Sequence, residues 1–384
     1  MAANDAIELK VAAMRAALKH ARDAIPQVTS IDAELGQRLK SRFALLADRA
    51  DSSLDALDPA DREDSSKRLR KAQDLIAETL GFLAAASARR IDLDDGVTSL
   101  AQDWLDMLSD AAGLPKIAVV IPAPSEFTGM VTQVVRLRLP VDGVWGLPVA
   151  IHEYGHFVAS QMARRAERDG IERTVVPVED LLHSTASRED LPLLYWHGHE
   201  VFSDAFAAAI AGPAYTHYCI RYRFDPLTAH EVTATHPSAV RRIRVQLTVL
   251  DALASKDRGG FLTGEVAGLR KMWLARLEAN GVDPGEASDP QLDPLEHELV
   301  QLLLADEDLS RIRYRGHARA RALAEQPLDR QRRPPSVAHA LNAAWRRRQA
   351  IEKEETDPRV VTRRVDEVAQ ATKEFVRQVI DYGR

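Results

Sequence analysis

The sequence predicts an α+β chain that is mostly helical, and three observations lead to that class. Apolar residues recur every three or four positions over most of the 384 residues, the spacing of one face of a helix. Two short β-branched runs, residues 117–121 and 131–139, are closed off by Pro115, Pro122 and Pro140. Soon after them comes His152-Glu153-Tyr154-Gly155-His156, an H-E-x-x-H pattern whose histidines fall one turn apart on a helix and project from one face.

Composition narrows the class before any element is placed. Hydrophobic residues make up 45% and charged residues 28%, the balance of a soluble globular protein with room for two or three domains. A net charge of -6 argues against general binding to nucleic acid or to anionic membranes. The single cysteine, Cys219, excludes an internal disulfide framework and thiolate-rich zinc sites. Residues 1–10 carry Asp5 and Glu8 and lack the apolar run of a secretory signal. No window approaches the ~20 apolar residues of a membrane span, so a cytoplasmic location without membrane partners is the expectation.

The first 112 residues read as an N-terminal helical bundle. Ile7, Val11, Met14 and Leu18 mark the first helix, which Pro26 is expected to stop. Leu35, Leu39, Phe43 and Leu46 form the stripe of the second, with Thr29 and Asp32 spaced as a capping box before it. Asp58-Pro59 opens the third, whose stripe is Leu69, Ala72, Ile76, Leu80 and Leu83. A shorter fourth helix runs near Leu100 to Leu108. This bundle is expected to serve as scaffold or as the dock for a regulatory protein partner.

Residues 113–256 carry the chemistry. Ile117 to Ile121 suits a buried strand, and Val131 to Leu139 alternates as a half-buried one, with Asp142-Gly143 turning the chain. The motif helix is expected from about Pro148 to Arg168, with Gly170 as its stop. A further helix starts near His199 and places Glu200 and Asp204 on one face, with Phe202, Phe206 and Ile210 opposite. Runs of alanine from Ala205 to Ala211, and Gly155 in the motif, keep both helices thin enough for close approach. Another helix opens at Thr235-His236-Pro237-Ser238 and continues through Val240, Ile243, Leu247 and Leu250. Residues 257–384 form a C-terminal helical region broken at Asp283-Pro284-Gly285 and Arg333-Pro334-Pro335; its arginines between Arg311 and Arg321 read as a solvated face.

A hydrolytic zinc site takes three protein ligands and leaves a fourth position for water. His152 and His156 supply two, and Glu153 lies where its carboxylate can work on that water. Glu200 is the best third ligand, because Asp204 follows it one turn later, placed to accept the free ring N–H of a ligand histidine. His197 and His199 compete for that role; His199 is rotated by ~100° from Glu200. Tyr215, His217 and Tyr218 are further candidates for hydrogen bonding in the pocket.

These segments resemble a known group. His152-Glu153-x-x-His156 followed by Glu200-Val201-Phe202-Ser203-Asp204 is similar to the gluzincin zinc metallopeptidases, whose third ligand is the glutamate of E-x-x-x-D. Thr235-His236-Pro237-Ser238, with Arg242 six residues after the histidine, resembles the HtpX and CAAX-prenyl-protease type, although this chain lacks the membrane spans of those relatives. The resemblance covers about residues 117–255. It implies a zincin-like core, Zn2+ held by His152, His156 and Glu200, Glu153 as catalytic acid/base, and Asp204 orienting a ligand histidine. It also implies His236 and Arg242 facing the reacting carbonyl of a protein or peptide substrate, with the strand 131–139 lending an edge to that substrate. The alternative is a non-catalytic helical interaction protein with a structural or regulatory zinc. A di-iron bundle is disfavoured, since no second E-x-x-H is suitably placed.

Overall fold

The computed structural model describes residues 3–28, 33–56, 62–91, 95–114, 116–117, 119–123, 127–129, 134–138, 143–168, 191–257, 259–288, 291–325 and 336–383. The chain is mostly helical with one small sheet. It divides into two compact units, residues 1–102 with 117–141, and residues 103–116 with 142–384. The proposed starts at Thr29/Asp32 and Asp58-Pro59, and the stops at Gly170 and Arg333-Pro334-Pro335, lie outside the described residues, as do Pro115, Val131, Thr132, Leu139, Pro140 and Asp142.

In the first unit, α1 (Ala3–Val28), α2 (Ala33–Asp55) and α3 (Arg62–Arg90) bury one stripe each. Leu18, Leu39, Phe43, Leu46, Ala72 and Ile76 meet in a single core, as their spacing requires. Two expectations fail. Pro26 does not stop α1 but sits in its last turn, and the helix continues to Val28. Leu80 is 40% exposed, whereas Phe82 is fully buried, so the α3 stripe drifts away from the positions marked in the sequence. Arg22 ties α1 to α2 through Asp48 at 3.0 Å and Asp51 at 2.6 Å.

Three strands complete this unit: β1 (Val119–Ala123), β2 (Phe127–Gly129) and β3 (Val134–Arg138), in the order β1-β3-β2. β3 runs parallel to β1 and antiparallel to β2. β2 had no signal in the sequence. Because β3 lies between the other two, it has no free edge along its paired length, which overturns the expectation that it lends an edge to a substrate. Its alternation holds from Val135 to Leu137, buried residues flanking a partly exposed Arg136, and Val134 before them is buried as well. Val119, Ile121 and Val134 enter the core of α1–α3, so the strands group with the N-terminal helices rather than with the motif helix. At β1, Val120 N–H donates to Gln102 Oε1 at 2.7 Å and its carbonyl accepts from Arg89, which satisfies backbone groups that an outer strand leaves open.

The second unit is built on one buried helix. α4 (Val97–Ala112) contributes its second half, and a 3₁₀ turn (Gly143–Gly146) leads into α5 (Val149–Arg168), the motif helix. The ring of Trp145 in that turn packs on Trp345 with centroids 4.8 Å apart, which fixes where α5 begins. Next comes α6 (Leu191–Ala211), two turns longer at its start than the sequence suggested. From His197 to Ala211 every residue of α6 is buried, the state of a helix that is apolar nearly all round. α7 (Pro213–Tyr218) and α8 (Ala239–Ala254) follow, the latter capped by Ser238, whose side chain accepts from Arg241 N–H. α9 (Phe261–Ala279), α10 (Pro294–Ala305), α11 (Glu307–Ser310), α12 (His317–Glu325), α13 (Val337–Glu354) and α14 (Pro358–Gly383) complete the unit. α5, α8, α10 and α13 all pack on α6.

The arginines of residues 311–321 are largely spent on the chain itself. Arg313 donates to the carbonyls of Leu303 at 2.8 Å and Asp306 at 2.6 Å, and Arg315 to that of Ser310 at 2.7 Å. A partly buried Glu265 gathers His217 at 2.8 Å and Arg346 at 3.0 Å, linking α7, α9 and α13.

At Gly212 the backbone turns with φ of +66°, and α6 gives way to α7. Buried Asn342 of α13 repairs this break: its Oδ1 accepts from Ala214 N–H at 2.9 Å and its Nδ2 donates to Ala211 O at 2.7 Å. Replacing it by Leu strands one donor and one acceptor away from water. Asn342→Leu is therefore expected to lower stability by about 3 kcal/mol, read as a lower urea midpoint at unchanged slope; an unshifted midpoint contradicts the role.

Candidate metal centre

The site forms where α5 crosses α6. Gly155 faces Ser203 so closely that a Cβ on it would lie 2.9 Å from the Ser203 Cα, a distance no side chain tolerates. The crossing brings the sequence-predicted ligands together. His152, Glu153 and His156 each place a donor atom within 4.8 Å of the others. The carboxylate of Glu200 spans the two imidazoles, with Oε2 at 3.4 Å from His152 Nε2 and Oε1 at 3.3 Å from His156 Nε2. Two ligands held tetrahedrally on bonds of about 2.0–2.1 Å stand about 3.3 Å apart, so the pairs are spaced to share one ion.

His152 is the buried end of the site and His156 the more open one, with side-chain exposures of 0% and 17%. Behind His152, Tyr215 of α7 donates to Asp204 Oδ1 at 2.6 Å, and its oxygen lies 3.0 Å from His152 Nδ1. Tyr215 has one proton and gives it to the carboxylate, so the proton between Tyr215 and His152 must come from Nδ1. In the neutral ring that leaves His152 Nε2 without a proton, 3.4 Å from both Glu200 Oε2 and Arg242 Nη2, the form a metal ligand needs. His152 has its pKa raised: burial and Arg223 push it down, but Asp204 and Glu200 outweigh them.

Arg242 of α8 holds both acids. Its Nε donates to Asp204 Oδ2 at 2.6 Å, and its Nη2 lies 3.1 Å from Asp204 Oδ1 and 2.8 Å from Glu200 Oε2. Burial by itself would raise both carboxyl groups; the guanidinium and the histidines reverse this and keep each well below the usual carboxylate range. Glu200 Oε2 nonetheless accepts no well-aligned hydrogen bond: the contact to Arg242 is short but poorly directed. A buried carboxylate with an oxygen in that state, its two oxygens each facing one imidazole nitrogen, could hold a divalent metal.

The loop before α8 brings in His236. Its backbone N–H donates to Thr233 Oγ1 at 2.9 Å, Thr233 N–H donates to its carbonyl at 3.0 Å, and Thr233 O accepts from His197 Nε2 at 2.9 Å. His197 is thus the tether between α6 and this loop and not a ligand. His236 stays half exposed, with Nε2 3.4 Å from Glu200 Oε1. His199 stacks on His156 with centroids 6.2 Å apart; burial and that neighbour push its pKa down to about 4.

Of the other candidates, Tyr218 packs on Tyr222, and His217 belongs to the Glu265 cluster. Arg223 escaped the sequence reading, yet its Nη2 lies 3.7 Å from Glu153 Oε1; nothing in its local pattern separates it from Arg221. The expected carbonyl contact of Arg242 is not where its hydrogen bonds go. It is 3% exposed and its Nε and Nη2 are committed to Asp204 and Glu200. No helix among the described residues is long and apolar enough to cross a membrane. No protein-family model, curated protein or solved structure matches the chain.

Gly155→Ala tests the crossing. The added methyl is expected to push α5 from α6, costing about 1–3 kcal/mol and weakening metal binding, because His152 and His156 then part from Glu200. Thermal unfolding beside a zinc titration measures both; unchanged affinity counts against the close approach as what sets the site.

Proposed function

We propose that this protein is a zinc-dependent peptidase of the gluzincin type, acting on a protein or peptide substrate. The supporting observation is the approach of Glu200 to His152 and His156 at 3.3–3.4 Å, with Glu153 beside them at 4.0 Å from His152 Nε2. His152, His156 and Glu200 would hold the ion. When bound, zinc supplies a Lewis acid that polarises a carbonyl and brings the pKa of water toward ~7.

The residues divide the remaining work. Glu153, 4% exposed, takes the proton of the attacking water and returns it to the leaving amine. His236 stands on the open side of Glu200, where it can face a substrate carbonyl. Arg242 stays with the acids as a positioning residue, which withdraws the oxyanion role that the family resemblance gave it. The zincin-like core belongs to this reading through the helices α5, α6 and α8.

A second reading draws on one contact. The spacing of His236 Nε2 to Glu200 Oε1, 3.4 Å, also suits a fourth ligand, and four protein ligands close a structural site. In that case the chain is a non-catalytic helical protein with bound zinc.

Glu153→Gln is expected to keep zinc and lower cleavage at least 100-fold, read by comparing new protein N-termini in cells carrying either form. Identical N-termini in the two cell lines would favour the structural site. Metal analysis of the purified chain is expected to give zinc; iron would move the two-histidine, one-carboxylate set to another chemistry. Glu200→Ala should weaken zinc binding far more than His199→Ala, and the reverse order would reassign the third ligand.

A further inference from the structure

The family resemblance gives Asp204 the task of holding a ligand histidine, but the geometry points to a different residue. We infer that Tyr215 orients His152 for metal binding and that Asp204 acts on the histidine through it. This rests on the metal-centre reading above and assigns a function to a residue that the reading leaves idle.

The hydrogen bonds carry the inference. His152 Nδ1 makes its well-formed bond to the Tyr215 hydroxyl at 3.0 Å. Asp204 Oδ1 is only slightly farther, at 3.1 Å, and makes an ion-pair contact with the ring while accepting the shorter bond from Tyr215. Asp204 is otherwise engaged: Oδ1 receives Tyr215 at 2.6 Å, and Oδ2 receives Arg242 Nε at 2.6 Å. The Tyr215 ring lies nearly parallel to His152, 17° from coplanar with centroids 5.9 Å apart. Its hydroxyl thus supplies the acceptor for the imidazole N–H from a ring that lies almost in the imidazole plane.

A chain results, Nδ1–H of His152 to the phenol oxygen and phenol O–H to Asp204. Each donor has one acceptor, and the negative charge sits at the far end beside Arg242. Hydrogen bonds in such a row polarise one another, so the carboxylate strengthens the phenol as an acceptor and the histidine as a ligand. Both Tyr215 and His152 are fully buried, so water cannot replace the phenol. The placement also explains the break at Gly212-Pro213. By ending α6 and starting α7, the chain carries Tyr215 back beside Asp204, eleven residues earlier.

The test uses the full chain and zinc alone. Tyr215→Phe keeps the ring and removes the relay; it is expected to weaken zinc binding 10- to 100-fold in a chelator competition. A loss below five-fold overturns the inference. The 15N signals of the His152 ring, identified by their absence in His152→Asn and recorded on metal-free protein in alkaline buffer, give a readout that packing would not move. They are expected to report Nδ1–H in the wild type and a mixture of tautomers in Tyr215→Phe; the same tautomer in both overturns the inference. A wild-type chain that binds no zinc defeats the metallopeptidase reading, and the ring signals then still decide the role of Tyr215.

Discussion

The buried ion pair between Arg242 and its two acids is the constraint on which the site depends. Glu200 and Asp204 lie one turn apart on a helix buried on every side, where a lone carboxylate would take up a proton. A guanidinium reaching from α8, with a fork that suits carboxylates, joins the neighbouring histidines in holding both below the usual carboxylate range. It thereby fixes α8 against α6, and with α8 the loop that presents His236. Removing one member of a buried pair of this kind typically costs about 3–5 kcal/mol, so the charges at this site are also part of the fold.

The helix crossing brings those charges to two histidines in a group that could hold a metal. α5 can lie against α6 only because Gly155 has no side chain where Ser203 passes. The same contact aligns both histidines of α5 with one carboxylate of α6. On the buried side the imidazole of His152 is enclosed by Tyr215, Asp204 and Arg242; on the other side His156 and His236 retain exposure. One end is rigid and dry, and the other can meet a ligand from solvent. This asymmetry suits an open site better than a sealed one.

Much of this was legible in the chain. The helical stripes followed Leu39, Phe43 and Ile76 into the core because burying one face is what makes such helices stable. His152, His156, Glu200 and Asp204 could be read because helical spacing converts sequence distance into direction. Other features were not legible. The strand β2 is three residues long, too short to show a pattern, and Leu80, exposed while Thr79 and Phe82 are buried, shows that a long stripe drifts because 3.6 residues per turn does not divide a seven-residue repeat. Arg242 was expected to face a substrate because its neighbours in sequence suggested a motif; its depth depends on how α8 packs, which no local pattern records.

The sequence by itself set out the candidate donors: two imidazoles one turn apart on one helix with an acid between them, and a carboxylate on another helix. Helical periodicity is a local property, so residues four apart in sequence are enough to define it. Only the tertiary structure decided which partner each donor has. That Tyr215 rather than Asp204 meets the His152 ring, that Arg242 turns inward, and that the strands join the N-terminal helices all depend on contacts between distant segments. Such contacts depend on side-chain volume and on polar groups that cannot be buried unpaired, and neither is written in the spacing of any single element.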